Sequence, residues 1–195
     1  MLRVKTQIWR GIGQLRQDQM RAHRSTAVGD TRGHSRELQR RGQNVALADG
    51  RVDCDDLKRQ LEAVPVAARS QTLLSTMAAN NETGVLQPLD DIAEIAERVE
   101  ITLHSDMVQA FGKTPMDFAG SGIGYASLSA HKIGGPSGVG ALLVRSSFGL
   151  SSLLKGGGQE QGRRSGTENL IGIAGFGAAA EAASDDPDHY VRMAG

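Results

Sequence analysis

The sequence predicts an α/β chain with a mainly parallel sheet and flanking helices. Three observations carry that prediction. Short β-leaning runs alternate with helical runs over most of the chain, a pattern that implies crossover connections and a parallel sheet covered on both faces. Glycine is abundant, 25 of 195 residues, which suits many tight turns. Hydrophobic residues reach 39% while aromatic ones reach only 4%, arguing against a disulfide scaffold or a collagen-like chain. The length falls within one ordinary domain and is enough to bury a core.

Residues 1–36 form an atypical basic segment that is expected to be disordered. Over residues 1–41 there are ten Lys or Arg against three acids, and low hydrophobicity with high charge does not support a core. Such a start reads as a solvated arm, a nucleic-acid contact or a translation of poorly fitted coding sequence. Trp9 is its only aromatic residue, so it lacks the aromatic interleaving of a single-strand binder. No apolar core follows the basic residues as in a secretory signal. No run of about 18 apolar residues is present to span a membrane. The whole chain has zero formal net charge, so no nucleic-acid partner is implied. A single cysteine, Cys54, excludes an internal disulfide and fits a cytoplasmic location.

Organisation begins near residue 37. Leu57 and Leu61, four apart behind Asp55 and Asp56, predict a short helix with an acidic first turn. "QTLLSTMA" at 71–78 reads as a strand leading into the turn formers "NNETG". Pro88 opens "PLDDIAEIAERVE", where Leu89, Ile92, Ile95 and Ala96 recur at helical spacing. "ITLHSD", "YASLS" and "ALLVR" read as three more strands. "TENLIGIAGFGAAAEAA" reads as a small-residue helix, with Asp185 and Pro187 beyond its end. Residues 37–184 are thus the organised part and residues 185–195 a tail.

Ligands of parallel sheets gather at the carboxyl ends of strands. "NNETG", "SDMVQAFGK" and "SAHKIGGPSG" all fall at such ends, which points to one shared site. Lys132 sits there between His131 and a glycine-rich run. Its amine is suited to a Schiff base with a carbonyl such as that of pyridoxal phosphate (PLP), or it is a surface lysine beside a loop. Ser129 and His131 supply polar groups next to it. Asp106 ends its strand and either faces the crevice, as the acid a pyridine nitrogen needs, or caps the segment that follows. Gln109 is placed to bond a ring oxygen. Asn81 offers a polar contact or serves only its turn.

"MAANNETGVLQP", "HSDMVQAFGK", "SLSAHKIGGPSGVGALLVR" and "GGGQEQGRRSGTEN" together resemble the cysteine desulfurases (NifS/IscS-like), within the class V aminotransferase group of fold-type I PLP enzymes. The resemblance implies that residues 37–184 are an incomplete PLP-binding large domain. It implies Lys132 as the catalytic Schiff-base lysine, Asp106 as the partner of the pyridinium and Gln109 as the partner of the phenolic oxygen. Ser129 and His131 would hold the phosphate, and Asn81 would lie near the ring. Thr167 would reach the phosphate of the opposite subunit, implying a homodimer. Arg164 beside it either supports that loop or pairs with acids. The implied reaction takes L-cysteine to L-alanine and passes a persulfide sulfur to an acceptor or an iron–sulfur scaffold. No metal is implied.

The chain also departs from that family. Its members are about twice as long, and residues 1–36 lack their phosphate-binding turn. "AHRSTAV" is a distorted echo of their histidine stretch, making His23 a poor stacking candidate. Residues 1–36 are therefore expected to derive from a truncated or frame-shifted start. The family's sulfur-accepting cysteine would lie beyond this chain's last residue, and Cys54, among acids, is expected to be inert. Impaired or absent activity is expected, with a non-catalytic remnant, a selenocysteine lyase or an aminotransferase as alternatives. Apolar faces such as "LIGIAGFGAAA" are expected to be partly uncovered.

Overall fold

The computed structural model describes residues 6–10 (as backbone), 47–145, 148–150, 152, 154–185 and 192. One sheet has the strand order β1-β2-β3-β4-β5. The strands are β1 (Thr6–Arg10), β2 (Thr72–Met77), β3 (Thr102–Asp106), β4 (Tyr125–Ser129) and β5 (Gly140–Val144). The helices among the described residues are α1 (Cys54–Glu62), the single turn α2 (Val66–Arg69), α3 (Leu89–Arg98) and α4 (Leu170–Asp185).

The centre of the sheet, β2-β3-β4, is parallel, whereas β1 and β5 join it antiparallel. The sheet is therefore mixed at its edges, beyond the mainly parallel arrangement expected. Connection length is the reason. α3 makes the crossover from β2 to β3, but residues 130–139 between β4 and β5 contain only a 3-10 turn. A parallel crossover needs about a dozen residues or more, so the chain turns back. β1 lies inside the segment expected to be disordered. Thr6–Arg10 pair instead with Thr72–Thr76 along the open side of β2, whose unpaired backbone groups favour an added strand. The rest of residues 1–36, His23 included, lies outside the described residues, as does most of the 185–195 tail.

Each helix has a local cause. The Asp53 side chain caps α1 by accepting a hydrogen bond from Asp56 N at 3.0 Å. Asp55 and Asp56 face the positive end of the helix. Pro88 stands at the cap of α3, one position before the first turn. Leu57 and Leu61 of α1 and Ile92, Ala93 and Ala96 of α3 are buried with Leu74, Leu103 and Ala126 of the sheet in one core. The alternation along β2 and β3 places Leu74 and Leu103 on this face and Ser75 and His104 on the other.

Asn169 caps α4, its Oδ1 accepting from Gly172 N at 3.0 Å. The helix therefore starts later than "TEN" and takes in Asp185, which was expected beyond its end. It packs through small residues onto the segments after β3 and β4. A Cβ at Gly175 would lie 2.6 Å from Pro136 Cγ, and Phe176 meets Phe111 edge-on at 6.3 Å. Its other side leaves Leu170 and Ile171 exposed at 72% and 87%, in line with the uncovered apolar face expected. Among the described residues, no helix is long and apolar enough to cross a membrane.

One buried amide ties two parts of the chain together. Gln87 Oε1 accepts from Val52 N at 2.8 Å, and its Nε2 donates to Gly50 O at 3.1 Å. Gln87→Ala leaves the buried Val52 N–H unpaired and should cost about 2–3 kcal/mol. Urea unfolding measures this against Gln71→Ala, an exposed control expected within about 0.5 kcal/mol of the parent chain. Equal costs would show that the Gln87 bridge does not stabilise the fold.

Candidate functional site

Parallel pairing brings the carboxyl ends of β2, β3 and β4 to one edge. Asp106 lies opposite Met77 on one side and Ser127 on the other. Two further hydrogen bonds lock the chain just past the strands. Ala78 N donates to Asp106 O at 2.8 Å, and Met107 N donates to Ser127 O at 3.0 Å. Asp106 therefore occupies the middle of the edge with its side chain half-buried. Its Oδ1 accepts from Val108 N at 3.0 Å. The capping use weighed from sequence is thus real, and it engages one carboxylate oxygen. Gln109, also half-buried, follows in a turn whose Ala110 and Phe111 amides donate back to Met107 O.

β4 ends at Ser129 and passes into a 3-10 turn, Ala130–Lys132. Ala130 is fully buried, and its carbonyl accepts from Ile133 N and Gly135 N. This anchor holds the polar residues at the surface of the edge. Ser129 Oγ and His131 Nδ1 are hydrogen-bonded at 2.8 Å. Lys132 is half-buried, while His131 is exposed.

Asn81 lies in the exposed turn beyond β2. Its neighbour serves the turn instead: Asn80 Oδ1 accepts from Glu82 N at 2.8 Å and from Thr83 N at 3.0 Å. Thr167 is exposed ahead of α4. Among the described residues, no hydrogen bond joins it to Ser129 or His131. Arg164 Nη1 donates to the carbonyls of Gly166 at 2.8 Å and Thr167 at 3.5 Å. Of its two possible uses, Arg164 thus supports the loop.

Two features escaped the sequence reading. Gly112 has φ +71, and a Cβ there would lie 2.8 Å from Ile133 Cγ2. This close approach carries Lys113 toward Lys132. Burial and then the charge of Lys132 push the Lys113 amine below the ordinary 10.5. The signal was present as the last two letters of "QAFGK", a glycine that permits contact followed by a cation. The second feature is Ser75 hydrogen-bonded to His104 Nδ1 at 2.8 Å, one side-chain row inside Asp106. His104 and Asp106 are two apart on a strand and so share a face.

Cys54 is half-buried. Burial first, then the charges of Asp91, Asp53 and Asp55, raise its thiol above the ordinary 9.0. The direction is the one expected, with burial as the largest single cause. Asp91 of α3 acts on it in place of Asp56, whose carboxylate is bonded by Arg59 and Gln60.

The edge therefore gathers a carboxylate, an amide, a hydroxyl paired with an imidazole, and two amines. That set fits a ligand with a basic ring nitrogen, a hydrogen-bonding oxygen, an anionic group and a carbonyl open to a lysine. The chain also has relatives among known proteins. Residues 38–186 match the family model described as Aminotransferase class-V. The chain is similar to a cysteine desulfurase of Cereibacter sphaeroides, 45% identical over 145 residues, covering 74% of this chain and 36% of that protein. It is also similar to the cysteine desulfurase NifS of Azotobacter vinelandii, 47% identical over 117 residues, covering 60% of this chain and 29% of the relative. A solved NifS-like protein from Rickettsia africae ESF-5 superposes with a TM-score of 0.70 at 37% identity, covering 77% of this chain and 42% of that one. The chain spans about a third of the length of the curated relatives it matches.

Two measurements test the electrostatics. In a pH series of acetylation read by mass spectrometry, Lys113 should show a midpoint below 10.5. Removing the like charge with Lys132→Gln should move that midpoint upward, because the charged form of Lys113 is then less disfavoured. An unmoved midpoint would mean that the two amines do not sense each other. For Cys54, iodoacetamide should react at pH 8 several-fold more slowly than with an unhindered small thiol, since the thiolate is the nucleophile. Asp91→Asn should speed the reaction.

Proposed function

The chain belongs to the class V aminotransferase family, and we propose that it forms the cofactor-binding core of a PLP-dependent cysteine desulfurase. The substrate is L-cysteine, which yields L-alanine and a sulfur atom for an acceptor. What supports this reading is one observation above all. Asp106, Gln109, Ser129, His131 and Lys132 converge at the ends of two neighbouring parallel strands.

Their chemistry fits the parts of PLP. Asp106 would pair with the ring nitrogen and Gln109 with the phenolic oxygen, while Ser129 and His131 would hold the phosphate. Asn81, whose turn is served by Asn80, would lie at the ring. Lys132 would hold the cofactor through its carbonyl carbon and afterwards accept and return protons. Bound there, PLP supplies an electron sink for negative charge developing on the amino acid. Thr167 would serve the phosphate of a second copy in a homodimer, with Arg164 bracing its loop. The sulfur passes to an acceptor protein such as an iron–sulfur scaffold, in the cytoplasm. Cys54 is not that acceptor, because its raised thiol pKa leaves little thiolate. Residues 37–184 are the large-domain portion.

The test uses the purified chain with added PLP, reduced with borohydride and digested. A cofactor adduct is expected on the Lys132 peptide and none in Lys132→Ala. A separate, unreduced and undigested sample is given L-cysteine with dithiothreitol as sulfur acceptor, and alanine is measured. No adduct would remove the whole reading. An adduct without alanine would leave a cofactor-binding chain that does not desulfurate cysteine.

A further inference from the structure

The end of the sheet opposite the site described above carries a cleft of about 340 Å³. It lies where β3 begins at Thr102, and from there to Asp106 the strand rises about 13 Å. Part of its lining is apolar. Ile101 and Leu103 are buried, and Phe148 is held against Tyr125 with ring centroids 5.6 Å apart. The charged lining residues are Glu97 near the end of α3, Glu100 just beyond it, and Arg145 directly after β5. Arg145 is half-buried and braced by carbonyls. Its Nε donates to Ile123 O at 3.3 Å, and its Nη2 donates to Ala119 O at 3.1 Å and Phe118 O at 3.5 Å. These bonds fix the guanidinium but leave its charge uncompensated, and Nη1 keeps two N–H donors. Among the described residues Arg145 forms no ion pair, although two carboxylates line the same cleft.

Glu100 adds an independent observation. It has φ +57, in a helix end where Glu100 N donates to Glu97 O and Ile101 N donates to Ala96 O. Helices closed by this pair of bonds favour glycine at that position, because a side chain is strained at positive φ. A glutamate kept there, lining a cleft, is strain of the sort that gathers at ligand sites.

We propose that this cleft binds a free α-amino acid with an apolar side chain. Arg145 takes the carboxylate, Glu97 and Glu100 take the ammonium, and the side chain covers Ile101, Leu103 and Phe148. A simple anion would meet two carboxylates, and a simple cation would meet the guanidinium. A zwitterion suits all three charges. The volume lies near the lower end for small-molecule sites, which fits an amino acid better than a nucleotide. The cleft is separate from the edge bearing Lys132 and does not rest on the function proposed above.

The experiment is a calorimetric titration of the full chain, without cofactor, with L-leucine as the probe. Isocaproate lacks the ammonium and isoamylamine lacks the carboxylate. Each should bind roughly tenfold more weakly than L-leucine, since each loses charge-assisted hydrogen bonds. Glu100→Gln, a change at an exposed side chain, should weaken L-leucine by a similar factor while leaving the fold intact. In nitrogen-15 NMR, the amides that shift on adding L-leucine should cluster over residues 97–103 and at Phe148, with Lys132 unmoved. No binding at millimolar L-leucine would overturn the proposal. So would an analogue that binds as tightly as L-leucine, because one charge would then suffice. Unchanged affinity in Glu100→Gln, or shifts centred on Lys132, would equally overturn it.

Discussion

The arrangement of the site depends on the parallel register of β2, β3 and β4, extended one residue past the strands by two backbone hydrogen bonds. Ala78 N to Asp106 O and Met107 N to Ser127 O hold three chain ends side by side. Without them each loop would leave the sheet at its own angle. With them Asp106 stands between β2 and β4, and the turn carrying Lys132 begins on the adjacent strand. Backbone bonds of this kind suit a site because they fix position without using the side chains that must meet a ligand.

The two surroundings of the sheet contribute differently. On one face, α1 and α3 bury Leu57, Leu61 and Ile92 against Leu74 and Leu103, and Gln87 links the approach to α1 with the approach to α3. That face anchors the strands. The site edge is held from the side by α4, whose glycines and alanines let it lie close to the segments after β3 and β4. The same smallness leaves α4 with few buried residues, Gly172 and Phe176. Contact between Gly112 and Ile133 then draws two lysines together, an unfavourable proximity for two cations that an anionic ligand would relieve.

Much of this was legible locally. Leu57 and Leu61 behind two aspartates marked α1, and the apolar spacing after Pro88 marked α3. The strands around Asp106 and Ser129 showed as short β-leaning runs ending in polar residues, and those endings singled out Asp106, Gln109, Ser129, His131 and Lys132. Other features were not legible. Nothing in "NNETG" says that Asn80 serves the turn and Asn81 does not. Nothing around Cys54 reveals that Asp91, on another helix, raises its pKa more than the acids beside it. The strand at Thr6–Arg10 was hidden by the charge of the segment around it.

By itself, then, the sequence determined the longer helices and the strands from β2 onward and which side chains end them, because periodicity, caps and turn formers act over a few residues. Tertiary structure decided which strand lies beside which and in what direction, and so which distant residues meet. The antiparallel return of β5, the pairing of Ser75 with His104 and the approach of Lys113 to Lys132 all belong to this second group. Each depends on strand register and loop path, which only the packing of the whole chain selects.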